Sequence, residues 1–229
     1  MGIGKAFVKW FFSHLGFEIR RGTNNPPKPQ ISIEGERSAA EYDRVWAEPG
    51  RLDAYLTDKR KELYHEILKL VEKAGFAQNV QTIADIGCGS GYFTRLLAER
   101  YQPNRIVGFD FSEEALKLAR SVYPAAEFRQ HDVYTPINEE FDLLFCTEVL
   151  EHLDYPEKAL DNLCAAASKI VLTVPNGRID TFGGHINYWS LPSWNVFLER
   201  YQQIVDFQTR LICDDKNIAT WMMRKSSSR

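Results

Sequence analysis

Ile83-Ala84-Asp85-Ile86-Gly87-Cys88-Gly89-Ser90-Gly91 is a short apolar run that enters three glycines at alternate positions, and helix formers follow over residues 92–100. Glycine has no Cβ and tolerates positive φ, so such a turn lets backbone come close to a ligand. The first N–H groups of the next helix have no intrahelical partner and face whatever sits there. The stretch predicts a strand, a turn and a helix arranged around a nucleotide-like molecule.

Working outward, the same alternation continues. Strands are predicted at 82–86, 105–109, 127–130, 141–146 and 169–174, with helices at 92–101, 112–122 and 156–167. Ser112 reads as a helix cap with Glu113 and Glu114 in the first turn. The run 141–146 is almost wholly apolar, as a strand buried on both faces should be. Repeated strand–helix alternation predicts a parallel sheet covered by helices on both sides. A helix at 192–201 and apolar stretches at 204–212 and 218–223 follow, the last two read as an antiparallel pair around Asp214-Asp215-Lys216-Asn217. The expected fold is α/β: a doubly wound, Rossmann-like, mostly parallel seven-stranded sheet with a C-terminal antiparallel hairpin, plus N-terminal helices.

Upstream, 41–46 and 51–74 carry apolar groups at helical spacing, with Gly75 as a stop. Tyr42 and Trp46 suit a lid over the ligand as well as packing on the core. Residues 3–19 read as an amphipathic helix, and Lys5, Lys9, Arg20, Arg21 and Lys28 against Glu18 give residues 1–30 a charge of +4. Such a helix suits docking on its own domain, or weak contact with an anionic membrane surface. Residues 24–29 (Asn-Asn-Pro-Pro-Lys-Pro) read as a linker. The expected organisation is an N-terminal amphipathic segment and linker over 1–40, then one domain over 41–229 with a helical lid at 41–75 and a core at 81–229.

The bulk numbers narrow the class. A net charge of −3 over 229 residues gives no global reason for nucleic-acid binding. The four cysteines, Cys88, Cys146, Cys164 and Cys213, contain no Cys-x-x-Cys pair and fit a reducing cytoplasm. No apolar run reaches membrane-spanning length, and Lys9 interrupts the apolar run over 6–12 that a secretion signal would need.

Two ligand classes compete for the glycine turn. The dinucleotide fingerprint is Gly-x-Gly-x-x-Gly, but here that last position is Tyr92 and the third glycine comes one residue early, at Gly91. Asp85 just before the turn would repel a pyrophosphate and attract an ammonium group. Asp110 ends the second strand, where a carboxylate accepts hydrogen bonds from ribose hydroxyls.

With those offsets in place, residues 81–174 resemble the core of the class I S-adenosylmethionine-dependent methyltransferases. The matching pieces are the glycine turn, Ile106-Val-Gly-Phe-Asp110-Phe111-Ser112, Gln130-His-Asp132-Val133, and Phe141-Asp-Leu-Leu-Phe-Cys-Thr-Glu-Val-Leu-Glu-His152. The resemblance implies that Gly87, Cys88 and Gly89 form the turn under the methionine part of S-adenosylmethionine, with Asp85 near its amino group. It also implies Asp110 on the ribose, Phe111, Asp132 and Val133 around the adenine, and Thr147 near the methionine end.

Methyl transfer needs a positioned nucleophile and, for a hydroxyl, a base. His185 follows two glycines in the loop after the fifth strand, at the carboxyl edge where open α/β sheets bind ligands. The stretch Gly184-His185-Ile186-Asn187-Tyr188-Trp189-Ser190 is similar to one in many small-molecule methyltransferases, and makes His185 the expected base. Glu148, Glu151 and His152 share one face if Glu148 begins a helical turn. A similar Glu-x-x-Glu-His occurs in metal-dependent ubiquinone-pathway and small-RNA methyltransferases, but also in relatives without metal, so no metal is assigned and His152 is placed near the substrate. Tyr188, Trp189 and Trp194 fit a pocket for a small, partly apolar acceptor as well as a place in the core. The fourth strand ends in Cys-Thr-Glu and lacks the Asn/Asp-Pro-Pro-Tyr/Phe of DNA amine methyltransferases, which argues against DNA. The expectation is a cytoplasmic small-molecule methyltransferase acting at oxygen. An RNA or nucleotide 2′-O-methyltransferase, a non-catalytic S-adenosylmethionine-binding protein and an NAD-dependent enzyme are the alternatives.

Overall fold

The computed structural model describes residues 37–225. The amphipathic segment at 3–19 and the linker at 24–29 lie outside the described residues. No described helix is long and apolar enough to cross a membrane.

Three helices come first: α1 (Ala39–Trp46), α2 (Arg51–Tyr55) and α3 (Asp58–Lys73). Then β1 (Thr82–Ile86), α4 (Tyr92–Tyr101), β2 (Arg105–Asp110), α5 (Glu113–Val122), β3 (Glu127–Gln130) and β4 (Phe141–Thr147) alternate. A 3₁₀ turn (Leu150–His152), α6 (Pro156–Ala166), β5 (Ala167–Pro175), α7 (Leu191–Glu199), β6 (Val205–Ile212) and β7 (Asn217–Arg224) complete the chain. The strand order is β3-β2-β1-β4-β5-β7-β6. The first five strands run parallel, while β7 pairs antiparallel with both β5 and β6.

The central strands alternate between two helical layers, as the two-residue period of a strand requires. Ile83 of β1 and Leu143 and Phe145 of β4 meet α3 and α4 through Ile67, Phe93 and Leu97. Ala84, Ile86, Leu144 and Cys146 face the other way, onto Leu160 and Leu163 of α6 and Trp194 and Leu198 of α7. Each such fully buried large side chain contributes about 1.5–3 kcal/mol, which is why these near-continuous apolar runs settle at the centre of the sheet.

The N-terminal helices depart from expectation. The run 51–74 is not one helix but breaks at Leu56, after which Thr57 caps α3 by accepting from the Arg60 backbone N–H at 3.3 Å. Threonine competes for backbone donors and favours cap positions, so the break is legible once the cap is looked for. Upstream, Ser38 and Glu41 form a reciprocal capping box that starts α1.

Of the two places open to Trp194, the structure puts it in the core. It is fully buried, and its indole N–H donates to Thr220 Oγ1 at 2.7 Å. Trp189 packs against it at 4.9 Å between ring centroids. Tyr188 is largely exposed and donates to the Phe182 carbonyl.

Candidate active site

The carboxyl ends of β1, β2 and β4 open into a cavity of about 480 Å³. This is the edge where parallel α/β sheets receive ligands. Its floor is the glycine turn. Gly87 donates to the Phe109 carbonyl at 2.7 Å, and a Cβ added to it would collide with Val149 Cγ2. Gly91 caps α4 in the left-handed region at φ 72°, and a Cβ there would come to 2.8 Å from Ala119 Cβ and 2.9 Å from Phe128 Cζ. Gly91 therefore sets how closely α4 packs against α5 and β3, while Gly87 and Gly89 line the cavity.

Asp110 also lines it, at the end of β2. Its Oδ2 accepts from the Gly89 N–H and its Oδ1 from the Ser112 N–H, both at 2.9 Å, which ties the second strand to the turn. Burial pushes its carboxyl up to about 6, against the pull of those backbone donors. Phe111, Asp132 and Val133 complete this end of the cavity. Asp132 Oδ1 meanwhile accepts from the Tyr134 N–H at 2.9 Å, an Asx turn that holds the loop after β3.

Three expected residues stand back from the cavity. Asp85 is buried and accepts from Thr94 Oγ1 of α4 at 2.6 Å, because its register on β1 points it to the α3–α4 layer with Ile83. Cys88 contributes backbone to the turn, but its side chain packs with Leu116, Ala119 and Phe128. Thr147 is buried at the end of β4, and the cavity begins one residue later, at Glu148.

The lid expectation for Tyr42 and Trp46 is matched in position: both line the cavity. Tyr42 meets Phe111 edge-on at 5.0 Å between centroids, and Trp46 lies over Gly89. Asp43 fixes the helix that carries them, accepting from Ser112 Oγ at 2.6 Å and from the Glu114 N–H at 3.2 Å. Tyr55 extends the aromatic wall, 5.0 Å from Trp46.

His152 and His185 also line the cavity. His152, on the turn after β4, and His185, on the Gly184 loop, lie 4.7 Å apart between ring centroids although they are 33 positions apart in the chain. His185 Nδ1 meets Asp180 Oδ2 at 2.5 Å. Asp180 is held below the usual carboxylate range, in spite of partial burial, by its hydrogen bonds from His185 and the Phe182 N–H. It is therefore ionised and accepts only, so in the neutral imidazole Nδ1 carries the proton and Nε2 the lone pair. The same logic applies to His152, whose Nδ1 donates to the Gly184 carbonyl at 3.0 Å. Burial, and then the charge of His185, lower its pKa to about 4, so it is neutral at pH 7.

Both Nε2 atoms lie 3.9 Å from Glu151 Oε1. Glu151 is fully buried and neither of its carboxyl oxygens has a hydrogen-bond partner. Burial first, and Glu148 second, push it well above the ordinary carboxylate range. The three-residue face expected for Glu148, Glu151 and His152 does not form: Glu148 adopts φ 56° before the 3₁₀ turn, and its Oε2 accepts from Asn217. The group whose donor atoms converge is instead Glu151, His152 and His185, within 4.8 Å of one another.

Sequence reasoning missed Asp180, Tyr55 and two cavity arginines, Arg51 and Arg60. Asp180 carried a signal, a carboxylate five residues before a loop histidine. The arginines carried none, since arginine on a helix face is ordinary.

A strand order with the glycine turn at its centre and β7 inserted antiparallel beside β5 defines the class I methyltransferase fold. Residues 84–168 match the family model described as a methyltransferase domain. Over 127 residues the chain is 33% identical to the trans-aconitate 2-methyltransferase of Paracidovorax citrulli, covering 53% of this chain and 47% of that one. Over 119 residues it is 33% identical to the ubiquinone biosynthesis O-methyltransferase of Idiomarina loihiensis, covering 48% and 45%. The chain thus spans about half the length of the curated relatives it matches. Among solved structures, the N-methyltransferase NodS from Bradyrhizobium japonicum, in complex with S-adenosyl-L-homocysteine, superposes with a TM-score of 0.65 at 18% identity, over 82% of this chain and 98% of that one. Residues 84–168 are thus a methyltransferase domain, and the fold around them is that of the class I S-adenosylmethionine-dependent methyltransferases.

Proposed function

We propose that this protein transfers a methyl group from S-adenosylmethionine to a hydroxyl oxygen of a small-molecule acceptor, with His185 as the base and Asp180 as its positioning residue. The observation that carries the reading is a histidine hydrogen-bonded through Nδ1 to an ionised carboxylate, in the same cavity as the glycine turn and Asp110.

S-adenosylmethionine supplies a methyl group already activated by a sulfonium, so the protein's work is positioning and proton removal. Asp110 would hold the ribose hydroxyls, Gly87 and Gly89 would let the methionine part lie against backbone, and buried Asp85 would provide negative potential for its ammonium group. Phe111, Asp132 and Val133 surround the adenine. The acceptor enters from the His152–His185 end, beneath Phe182. As its oxygen bonds to the methyl carbon and the methyl–sulfur bond breaks, releasing neutral S-adenosylhomocysteine, His185 Nε2 would take the hydroxyl proton and Asp180 would stabilise the resulting imidazolium. The name of the trans-aconitate relatives makes a small acid a fitting first acceptor to try. The molecule carrying out this reaction is expected in the cytoplasm, with residues 1–40 appended to the domain at 41–229.

The test is single-turnover methylation with an acceptor found by screening. His185→Ala should lower the rate by about 10²–10⁴-fold, the usual range for removing a general base. An unchanged rate overturns the assignment.

A second reading is favoured by one observation, the buried and unpartnered carboxyl of Glu151 between two free Nε2 atoms. That donor set suits a divalent cation, which would polarise an acceptor oxygen and lower its pKa. The hydrogen bonds on both Nδ1 atoms are the outer contacts that orient imidazole ligands. His185 Nε2 cannot serve as ligand and base at once, so the readings exclude each other. Manganese or zinc raising the melting temperature of wild-type protein, but not of Glu151→Gln, supports the second and removes the first.

A further inference from the structure

We propose that the acceptor carries a carboxylate group and that Arg51 and Arg60 hold it from the roof of the cavity. The inference rests on the methyl-transfer reading above and adds the chemical class of acceptor. Both arginines line the cavity from α2 and α3. The Arg51 guanidinium lies 5.4 Å from the Trp46 ring centroid, and that of Arg60 lies 4.8 Å from the Tyr55 ring centroid. Stacking on aromatic faces orients each planar fork while leaving its N–H groups free to bond.

Those N–H groups are not used by the described residues. Neither guanidinium has a carboxylate within 4.0 Å among them, and Arg51 Nε is buried with no hydrogen-bond partner. Most other arginines of the domain, such as Arg105, Arg120 and Arg129, are paired at the surface. Two cations turned into a partly closed cavity, each without a bonded partner, call for an anion there. Glu148 and Glu151 act on Arg60 across space but do not bond it. Burial raises both carboxyls, and neither forms a hydrogen bond or an ion pair with the Arg60 guanidinium.

A guanidinium fork matches a carboxylate with two parallel hydrogen bonds. The methyl donor brings a single carboxylate, on its methionine end, whereas the roof offers two forks on separate helices. At least one is left over for the acceptor. The chemistry is that of a small hydroxy acid or polycarboxylic acid, anchored by its charge at the roof and presenting oxygen to the His185 end.

The experiment is calorimetric titration of the full chain, saturated with S-adenosylhomocysteine, with three acids of different shape (citrate, trans-aconitate and 4-hydroxybenzoate) and with their neutral methyl esters. At least one acid should bind about tenfold tighter than its ester or more, as expected for charge-assisted hydrogen bonds. At least one of Arg60→Gln and Arg51→Gln should remove that preference while S-adenosylhomocysteine affinity stays within about twofold. The inference is overturned if every ester binds as well as its acid. It is also overturned if both substitutions weaken S-adenosylhomocysteine but spare 5′-methylthioadenosine, which lacks the carboxylate, since the forks would then serve the cofactor. Melting temperatures of the two variants identify any loss that comes from unfolding. If wild-type protein binds no S-adenosylhomocysteine, it is the methyl-transfer reading that fails, a result distinct from either of the others.

Discussion

Replacing Asp85 with Asn should make the ligand-free protein more stable and its cofactor weaker-binding, and the first effect should depend on pH. Asp85 is 1% exposed, and burial pushes its carboxyl up to about 7, against the Thr94 hydrogen bond and with help from the charge of Asp110. An unfolded Asp titrates at about 3.9, so ionising Asp85 in the folded state costs about 4 kcal/mol, at about 1.4 kcal/mol per tenfold. The folded pKa lies above the unfolded one. The folded chain therefore binds more protons between pH 4 and 7, and the stability tied to that proton is complete below pH 4 and lost as pH rises through 7. Asn keeps an oxygen to accept from Thr94 but adds an N–H₂ group whose burial costs about 1–3 kcal/mol. The net gain at pH 8 is about 1–3 kcal/mol, and near pH 4 the variant is no more stable than wild type. Urea unfolding of both proteins at intervals from pH 4 to 8 reads the difference directly. At pH 8, S-adenosylhomocysteine affinity should fall about tenfold, the loss of one charged partner. A variant less stable than wild type at every pH, or a gap that does not change with pH, would refute the argument, because Asp85 would then be ionised and fully partnered.

Two further outcomes follow from the cofactor end of the cavity. Gly91→Ala meets both a positive φ and close contacts with Ala119 and Phe128, so it should cost about 2–4 kcal/mol in thermal or denaturant unfolding; a loss below 0.5 kcal/mol would mean that α4 is free to shift. Because burial raises the Asp110 carboxyl to about 6, S-adenosylhomocysteine affinity should decline as pH falls through 6, when that carboxyl takes a proton and loses acceptor capacity. Asp110→Asn should bind weakly at pH 7 and lack this step in calorimetry from pH 5 to 8, and an unaltered profile would remove Asp110 from the ribose site.

The donor half of the molecule was legible in the chain because backbone chemistry fixes it locally. Gly87, Gly89 and Gly91 sit where a strand must turn into a helix, Asp110 ends the next strand in register with that turn, and both facts are readable as spacing. The strand and helix limits hold to within a residue or two for the same reason: apolar runs such as 141–146 have few alternatives to a central position. Depth was less legible than order. The side chains of Asp85, Cys88 and Thr147 follow strand and turn register away from the cavity, and only the alternation of β1 and β4 between two helical layers tells which face each takes. Trp194 shows the same difficulty, since a large aromatic in a late helix fits a pocket and a core equally well until its partner, Thr220 on β7, is known.

The acceptor half depends on contacts between segments that no spacing links. The loop carrying His185 is not held by its own sequence alone: the backbone N–H groups of Ile186 and Asn187 both donate to the Glu151 carbonyl, at 2.9 and 3.0 Å, and Asn187 Nδ2 donates to the Leu153 carbonyl at 2.6 Å. His152 returns the contact through Gly184. The 3₁₀ turn after β4 and the His185 loop are therefore one unit, bonded backbone to backbone. That explains why Glu151 can be buried without partners. Its main chain is the anchor for the loop, so its side chain is carried inward to the point where both histidines converge. A buried carboxyl without partners is unfavourable on its own, and it persists because the surrounding bonds fix its position. Any chemistry at this end, by base or by cation, is set by that shared backbone anchor, and disrupting it should move both histidines together.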